Sequence, residues 1–208
     1  GVLALDSKVI DAFGIESVYS LGRIVRVISI IISLFDEKFN ESQTEQRLES
    51  LLGILSNDKK FTSQNELFAT LEIAVKNLIY WDAFTFVYYE PVEAKFKTSK
   101  IINKTSLKYV GENLEIEIQG TLAGKAISSG MPVKIDDTSA QKYYRFFSSE
   151  DVRFDGSFLA LPLIYDDQNF GVLCFESLKK NIYTNSDIKF MKSTVKFFSF
   201  ILYTFSTQ

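Results

Sequence analysis

No histidine occurs among the 208 residues of this sequence, and cysteine occurs only once, as Cys174. The lack of histidine excludes Ser-His-Asp and Cys-His catalysis, HExxH zinc sites, haem ligation by histidine and phosphohistidine relay within the chain. A single cysteine excludes an intrachain disulfide and any CxxC redox or zinc motif. Proteins without disulfides are typical of a reducing compartment, so we expect a cytoplasmic location.

The sequence also lacks a strong charge of one sign and a long apolar run. It has 23 Lys and Arg against 26 Asp and Glu, a net charge of −3, which gives no electrostatic footprint for nucleic acid or an anionic membrane. The longest apolar stretch, "VISIIISLF" (27–35), is shorter than a bilayer-spanning helix and follows Arg23 and Arg26. We therefore expect neither a nucleic-acid partner nor membrane contact by this chain.

Motifs for phosphate and metal binding are incomplete. "GTLAGKA" (120–126) has three residues between its glycines instead of four, and Ala126 stands where a phosphate-binding loop has Ser or Thr. "DVRFDGS" (151–157) lacks the acidic ladder and terminal Glu of a calcium loop. The sequence thus predicts no metal site, and it offers no carboxylate pair whose spacing indicates acid–base catalysis.

Apolar residues make up 46% of the chain, enough for a core, and their periodicity is first helical. Three- and four-residue steps predict a helix from Ser17 to about Phe35. The polar stretch 36–46 is interpreted as a solvated helical continuation or a hinge, and a second helix is predicted over about 42–56. Ser63, with Glu66 three residues later, predicts the capped start of a third helix.

After Trp81 the period changes to two, which indicates strands. The predicted strands are 84–89, 94–102, 114–119, 132–136, 157–165 and 170–177. A short helix is predicted over 121–130, ending at Gly130, and a last helix from an Asn185 or Ser186 cap to about Thr204. This order predicts an α+β fold with an antiparallel sheet.

The two ends of the chain carry a repeat. "GVLALDS" (1–7) matches "GVLCFES" (171–177), and an ungapped alignment of 1–35 with 171–205 has eight identities. Each segment has an apolar run, a polar turn, an aromatic residue and an apolar-periodic helix, although two unrelated strand–helix units remain the alternative. We therefore predict that 1–35 is the carboxy-terminal remnant of a preceding domain. A helical linker with the first helix (36–62) and a complete domain (63–208) follow.

The segments "GTLAGKAISSGMPVKIDD", "FLALPLIYDDQNFGVLCFES" and "YTNSD" (183–187), followed by a helix, resemble the GAF domain family. The resemblance covers roughly 42–205. It implies a central antiparallel sheet with the first and last helices on one face. On the other face it implies a small-molecule pocket, roofed by short helices and the 137–156 loop.

The resemblance also implies the ligand-contacting residues. Leu122 and Ala123 lie in the glycine-flanked helix, and Tyr144 or Arg145 lies in the variable loop. Asp155 and Ser157 come from the segment before strand 157–165, and Cys174 from the strand after the turn. With a looser alignment, the first two strands contribute Tyr88, Ile102 and Asn103. The loop is rich in aromatic and charged residues, as an apolar pocket with a few orienting groups requires. The alternative is that the aromatics fill the same space as core.

The resemblance bears on ligand class as well. Cyclic-nucleotide-binding members carry an Asn-Lys pair, an aromatic residue and Asp-Glu; this chain keeps Tyr183 and Asp187 but has "SLKK" for the pair and Ile188 for the final Glu. Bilin-binding members need a suitably placed cysteine and histidine, and free methionine sulfoxide reductase members need several cysteines. Cyclic-nucleotide binding is thus disfavoured. We expect no haem, bilin or metal cofactor, and the ligand remains unknown.

The resulting hypothesis is a non-enzymatic regulatory module that senses a small molecule within a larger signalling protein with tandem GAF domains. Its effector domain would lie elsewhere in that protein. Leu21, Ile28 and Phe35 recur at intervals of seven, so we expect a homodimer through helices 17–56 and 184–205. The alternatives are a structural dimerisation spacer whose pocket is filled by its own side chains and, less favoured, an enzyme.

Overall fold

The computed structural model describes residues 2–55, 63–76, 78–140, 144–150 and 155–206. By their contacts, the residues divide into two compact units, 1–49 and 50–208. Residues 56–62 of the predicted 36–62 linker, and 141–143 and 151–154 of the predicted 137–156 loop, lie outside the described residues.

Helix α1 runs without a break from Ile15 to Leu55. Of the two interpretations of 36–46, the structure shows the helical continuation and not the hinge. The prediction of a separate second helix over 42–56 is wrong, because that stretch belongs to α1. The 36–46 stretch contains neither proline nor glycine, and Glu, Gln and Lys within it favour helix. Residues 2–7 form no helix or strand, and no described strand of their own unit lies beside them.

The part of α1 from Ile15 to Phe35 is long and apolar enough to cross a bilayer, by length and composition alone. This 21-residue segment is longer than the apolar run noted in the sequence, because the helix extends it toward the amino terminus. The absence of membrane contact therefore stays a prediction.

Unit 50–208 is built on a five-stranded antiparallel sheet, which confirms the predicted α+β class. In chain order the strands are β1 (Ala83–Glu90), β2 (Lys95–Asn103), β3 (Val133–Ile135), β4 (Ser157–Tyr165) and β5 (Gln168–Ser177). The order across the sheet is β2-β1-β5-β4-β3, which places β5 at the centre. Both predicted hairpins are present, β1–β2 and β4–β5.

The predicted strand 114–119 is wrong, since only an isolated bridge from Glu115 to Lys97 forms there. The amide of Ile116 still donates to Phe96 on β2, but the next amide, that of Glu117, donates to Phe146. The segment therefore leaves the sheet edge after Ile116 and turns toward the loop that covers the sheet.

Among its described residues, this unit has three further α-helices, α2 (Gln64–Val75), α3 (Leu122–Ser129) and α4 (Asn185–Ser206), and a short 3-10 helix (Thr138–Ala140). Ser63 caps α2 as predicted, and Gly130 ends α3 in the left-handed conformation. The cap of α4 is Thr184 instead of Asn185 or Ser186, because the Thr184 hydroxyl accepts from the Asp187 amide and the Asp187 carboxylate accepts from Thr184 in return.

Apolar residues of α2 and α4 pack against one face of the sheet, in a core that includes Trp81, Phe86, Leu161, Phe175 and Phe198. Alternation along the strands sends the neighbouring side chains to the opposite face. That second face, beneath α3 and the loop after it, contains the candidate site.

Candidate ligand pocket

The floor of the site is formed by the three central strands. Cys174 on β5 lies level with Thr85 on β1 and Ala160 on β4. Short side chains at these positions leave room above the sheet for other residues. Cys174 and Ala160 belong to the buried cluster that also contains Leu122 and Phe146.

The amino terminus of α3 forms the roof. The Thr121 hydroxyl caps the helix by accepting from the Gly124 amide at 3.0 Å. A Cβ at Gly124 would lie 2.0 Å from the carbonyl oxygen of Ile118, so only glycine lets the helix approach that backbone. The amides of the first helical turn have no acceptor within the helix, and the helix position places them beside the loop that follows.

Those amides are occupied by the loop. The Leu122 amide donates to the Tyr144 carbonyl at 2.8 Å, and the Ala123 amide donates to the Arg145 carbonyl at 3.0 Å. A helix amino terminus is a common binding site for anions, but here backbone carbonyls satisfy these two donors.

The segment 144–150 is held down along its length. The Glu117 amide donates to the Phe146 carbonyl at 2.9 Å. The Glu117 carboxylate in turn accepts from the amide and hydroxyl of Ser148, at 2.8 and 2.9 Å. Phe146 is completely buried as a result. This segment places Arg145 above the sheet.

Arg145 makes a buried ionic cluster with two carboxylates. Its guanidinium lies 2.9 Å from Glu176 Oε2 on β5 and 3.2 Å from Glu150 Oε1. The Tyr109 hydroxyl donates to the other oxygen of Glu176 and lies 3.0 Å from the Thr85 hydroxyl. We call Arg145, Glu176, Glu150 and Tyr109 the arginine latch, because they join the loop to the central strand.

Glu150 also fixes the shape of the loop. Its Oε2 atom accepts from the Arg145 amide at 2.8 Å and from the Phe146 amide at 3.4 Å. One carboxylate therefore holds both the backbone and the guanidinium of Arg145. The side chains of Arg145, Glu150 and Glu176 are 5%, 6% and 1% exposed, so water screens their charges weakly.

Burial changes the pKa values of several groups in and beside the latch. It opposes the charge on Arg145, but the nearby Glu176 and Glu150 outweigh it and raise the pKa of Arg145. Burial raises the pKa of Glu150, against the attraction of Arg145. It also raises the pKa values of Tyr109 and of the Cys174 thiol well above their usual ranges, and Glu176 adds to both effects.

The space above Cys174 is filled by the chain itself. The described side chains of Cys174, Ala123 and Phe146 have no solvent-accessible surface, so none of them borders a space large enough for water. Tyr144, by contrast, is 41% exposed. Arg145 and Phe146 thus occupy the position that the resemblance assigns to a ligand.

Half of the predicted contact residues are brought together here. Leu122, Ala123, Arg145 and Cys174 lie in or around the buried cluster, and Tyr144 joins them through its carbonyl.

The other predicted residues lie outside this buried cluster. Tyr88 and Ile102 pack in the core beneath α2 and α4, because strand alternation sends them to that face. Asn103 is occupied in a local turn with Thr105 and Leu107. Asp155 is exposed, and the Ser157 hydroxyl bonds to the carbonyls of Asp136 and Lys179 at the end of the strand.

Three latch residues, Glu176, Glu150 and Tyr109, were missed in the sequence. Glu176 had a signal: it follows Val172 and Cys174 at two-residue steps in a buried strand, where an acid is costly unless it is paired. Glu150 and Tyr109 lie in irregular segments whose approach to Arg145 no local pattern indicates.

A separate, mainly apolar groove of about 310 Å³ lies where the end of α3 meets β4 and α4. It is lined by Gly130, Met131, Pro132, Pro162, Ile164, Lys192, Val195 and Lys196. None of the predicted ligand-contacting residues lines it.

The family model for the GAF domain matches residues 68–202, which is more than half of the chain. This chain belongs to the GAF domain family. The match includes the sheet, α3, the latch segment and most of α4. No curated protein matches the sequence.

Solved GAF domains share the fold at low sequence identity. The GAF domain from Acinetobacter phosphoenolpyruvate-protein phosphotransferase has a TM-score of 0.60 and 14% identity, over 77% of this chain and 92% of that one. The GAF domain of a two-component sensor histidine kinase from Bacillus halodurans has a TM-score of 0.57 and 15% identity, over 71% and 98%. Both come from larger proteins, as their names state, and GAF domains are typically regulatory domains of signalling proteins.

An enzyme also shares the GAF fold. The free methionine-R-sulfoxide reductase from Neisseria meningitidis, solved with its substrate, has a TM-score of 0.59 and 16% identity. The matched region is 76% of this chain and 87% of that one. At these identities the likeness establishes the fold alone, so function must be argued from the site.

Proposed function

We propose that this GAF domain is a non-enzymatic regulatory module of a larger signalling protein, and that it senses a small molecule through the arginine latch. The observation that supports this most directly is the buried pairing of Arg145, on a loop, with Glu176 on the central strand. A ligand that enters the site must displace Arg145 and Phe146. Binding would thereby be converted into movement of the 144–150 segment.

The absence of catalysis is part of the proposal. Cys174 is the only cysteine of the chain, and its thiol is completely buried. Burial raises its pKa, so the thiol stays protonated and is a poor nucleophile. The cysteine thus fits the role of a small apolar floor residue better than that of a redox centre.

A structural dimerisation spacer is the second candidate, and the filled pocket favours it. Phe146 and Arg145 already take the place of a ligand, so the domain could serve as a rigid connector with no ligand at all. Homodimerisation, an effector domain elsewhere in the protein and a cytoplasmic location fit either candidate.

The buried Cys174 thiol provides a test that separates the two candidates. A thiol reagent can reach it only when the 144–150 segment opens or the domain unfolds. We expect sensing to give labelling by local opening, with a rate that varies little with low urea concentrations. For a spacer we expect labelling only through global unfolding, with a steep dependence on urea.

The same assay identifies a ligand. Nucleotides, amino acids and small anions are added in turn, and both the melting temperature and the Cys174 labelling rate are measured. A ligand of the latch site raises the melting temperature and changes the labelling rate, whereas the Arg145→Met variant loses both responses. Global-only labelling combined with no response to any compound would overturn the sensing proposal in favour of the spacer.

A further inference from the structure

The turn before α1 has the same backbone geometry as the turn before α4. Asp11 and Asn181, aligned in the sequence repeat, have φ angles of 57° and 56°. The Ser7 hydroxyl accepts from the Val9 amide, as the Ser177 hydroxyl does from the Lys179 amide, each at 3.1 Å. Positive φ is uncommon outside glycine, so the coincidence at aligned positions is informative.

The two helices continue the match. They begin at aligned residues, Ile15 and Asn185. Further along, the Ser29 hydroxyl donates to the Val25 carbonyl at 2.9 Å, and the aligned Ser199 hydroxyl donates to the Val195 carbonyl at 2.6 Å. Local structure, and not only sequence, is therefore repeated from the turn into the helix.

The surroundings of the two segments differ. Residues 171–176 are paired with β1 on one side and β4 on the other, whereas 2–7 form no helix or strand. On α4 the inward face is buried against the sheet: Met191, Thr194, Val195, Phe198, Ser199 and Leu202. The aligned apolar residues of α1 are Leu21, Ile24, Val25, Ile28 and Ile32, which we call the α1 face. The last four of these are 39% to 55% exposed.

We propose that residues 2–35 are the last strand and last helix of a second GAF-like domain, and that the sheet of that domain covers the α1 face. The remaining strands would come from sequence that precedes this chain in the longer protein. Residues 2–7 would pair within that sheet as β5 does, and the α1 face would pack on it as α4 does. The protein would then contain two GAF-like domains joined by α1.

A sheet would cover the α1 face and pair with the backbone of residues 2–7 at the same time, which the alternative occupants would not. A second copy joined through α1 would cover the helix but leave the backbone of 2–7 and the side chains of Val2, Leu3 and Leu5 unpaired. A bilayer would have to take up Arg23 and Arg26, at a cost of about 2.5–3.5 kcal/mol for each residue near its centre. Both arginines lie on the side of α1 opposite the α1 face, where a packed sheet leaves them in water.

Single introduced thiols test the proposal in the longer protein that contains this chain. Cys174→Ala removes the native thiol, and Ala4 already stands at the aligned position of the repeat. Ile28→Cys then places a thiol on the α1 face, and Arg26→Cys places a matched thiol on the opposite side. We expect the Ile28→Cys thiol to be labelled about 100-fold more slowly than the Arg26→Cys thiol in the folded longer protein. In the 208-residue chain, we expect the two rates to be similar.

Hydrogen exchange on the unmodified longer protein is the second readout, in case a substitution prevents folding. Slow exchange of the amides of 2–7 is expected if they are paired in a sheet. Fast exchange there, or equal labelling of both thiols in the longer protein, would overturn the proposal. The proposal would also be overturned if, in the 208-residue chain, the Ile28→Cys thiol were labelled more slowly at higher protein concentration, since this would indicate that a second copy covers the α1 face. Protection of both thiols by phosphatidylcholine–phosphatidylglycerol vesicles would indicate a bilayer instead.

Discussion

At the scale of single residues, Arg145 connects the loop to the sheet by charge in a place that excludes water. Its guanidinium has a carboxylate on each side, Glu176 and Glu150, and the ring of Tyr109 lies 5.1 Å from its central carbon. The three charged side chains are almost completely buried. Removing one of them leaves its partner charged and out of water, so the loss of stability should be larger than for an exposed ion pair.

Arg145→Met tests this cost. The variant leaves Glu176 buried without its cation, and we expect the free energy of unfolding to fall by about 3–5 kcal/mol in urea titrations at neutral pH. The additional changes Glu176→Leu and Glu150→Gln should recover part of the loss, because they remove both carboxylates that Arg145 neutralises. Lys95→Met, which removes an exposed partner of Glu115, serves as the control and should have little effect. Equal effects of Arg145→Met and Lys95→Met would show that the latch adds no stability.

Glu150 gives the domain a pH dependence of predictable sign. Burial raises its pKa in the folded state, so the folded protein binds the proton more tightly than the unfolded chain. Its contribution to stability is complete below the unfolded pKa of about 4.3 and is lost as the pH rises through the folded value. Asp82 acts in a separate pH range. Burial raises its pKa, but the hydrogen bonds that it accepts from Leu178, Tyr80 and Ser177 outweigh burial and lower the pKa, so its contribution is lost only at lower pH.

The measurement is the free energy of unfolding between pH 4.5 and 8 for the wild type, Glu150→Gln and the exposed control Glu115→Gln. We expect the difference between wild type and Glu150→Gln to change with pH, in the direction of greater wild-type stability at the acidic end. The control should run parallel to the wild type. A pH-independent difference for Glu150→Gln would contradict the assigned role.

At the scale of elements, α3 is positioned by the close approach of Gly124 to the backbone of Ile118. Gly124→Ala would place a methyl group 2.0 Å from a carbonyl oxygen, so α3 must shift away from the loop that it roofs. We expect a loss of about 1–3 kcal/mol in thermal or urea unfolding and faster labelling of Cys174 beneath it.

Gly22→Ala on α1 is the matched control. No neighbouring atom would meet its Cβ, and replacing glycine by alanine within an exposed helix favours the helix by about 0.5–1 kcal/mol. Circular dichroism should show unchanged or higher helicity and no loss of stability. If both variants behave alike, the contact with Ile118 does not constrain α3.

At this scale, elements whose sequence signal comes from neighbouring residues were predicted, and contacts between distant residues were not. The hairpins β1–β2 and β4–β5 were predicted because alternation and turn residues are local. The segment 114–119 alternates equally well, yet it is not a strand, because its amides are shared between β2 and Phe146. In the latch, Glu176 could have been found from its buried strand, but Tyr109 reaches it across 67 residues, a distance that no periodicity encodes.

At the scale of the whole molecule, α4 bears apolar residues on two sides. One side is buried against the sheet, and on the other Phe200 is 43% exposed although its ring lies 5.3 Å from that of Tyr165. The partly buried Phe197 and Phe205 belong to the same helix. Large apolar side chains left in water along a helix favour association with another helix. This is the basis for expecting a homodimer that includes α4.

Cross-linking can test that dimer without depending on α1. In the Cys174→Ala background, Phe200→Cys places a thiol in the centre of the outward side of α4, and Lys192→Cys places one on its flank. If two copies pack through α4 in parallel about a two-fold axis, the two thiols at position 200 face each other, and mild oxidation should join the chains through them. The thiols at position 192 should cross-link far less.

Sedimentation of the unmodified chain should give the mass of a dimer that dissociates on dilution. A dimer by mass with no cross-link at position 200 would show that α4 lies outside the interface. A strict monomer at high concentration would show that this chain does not form the dimer by itself.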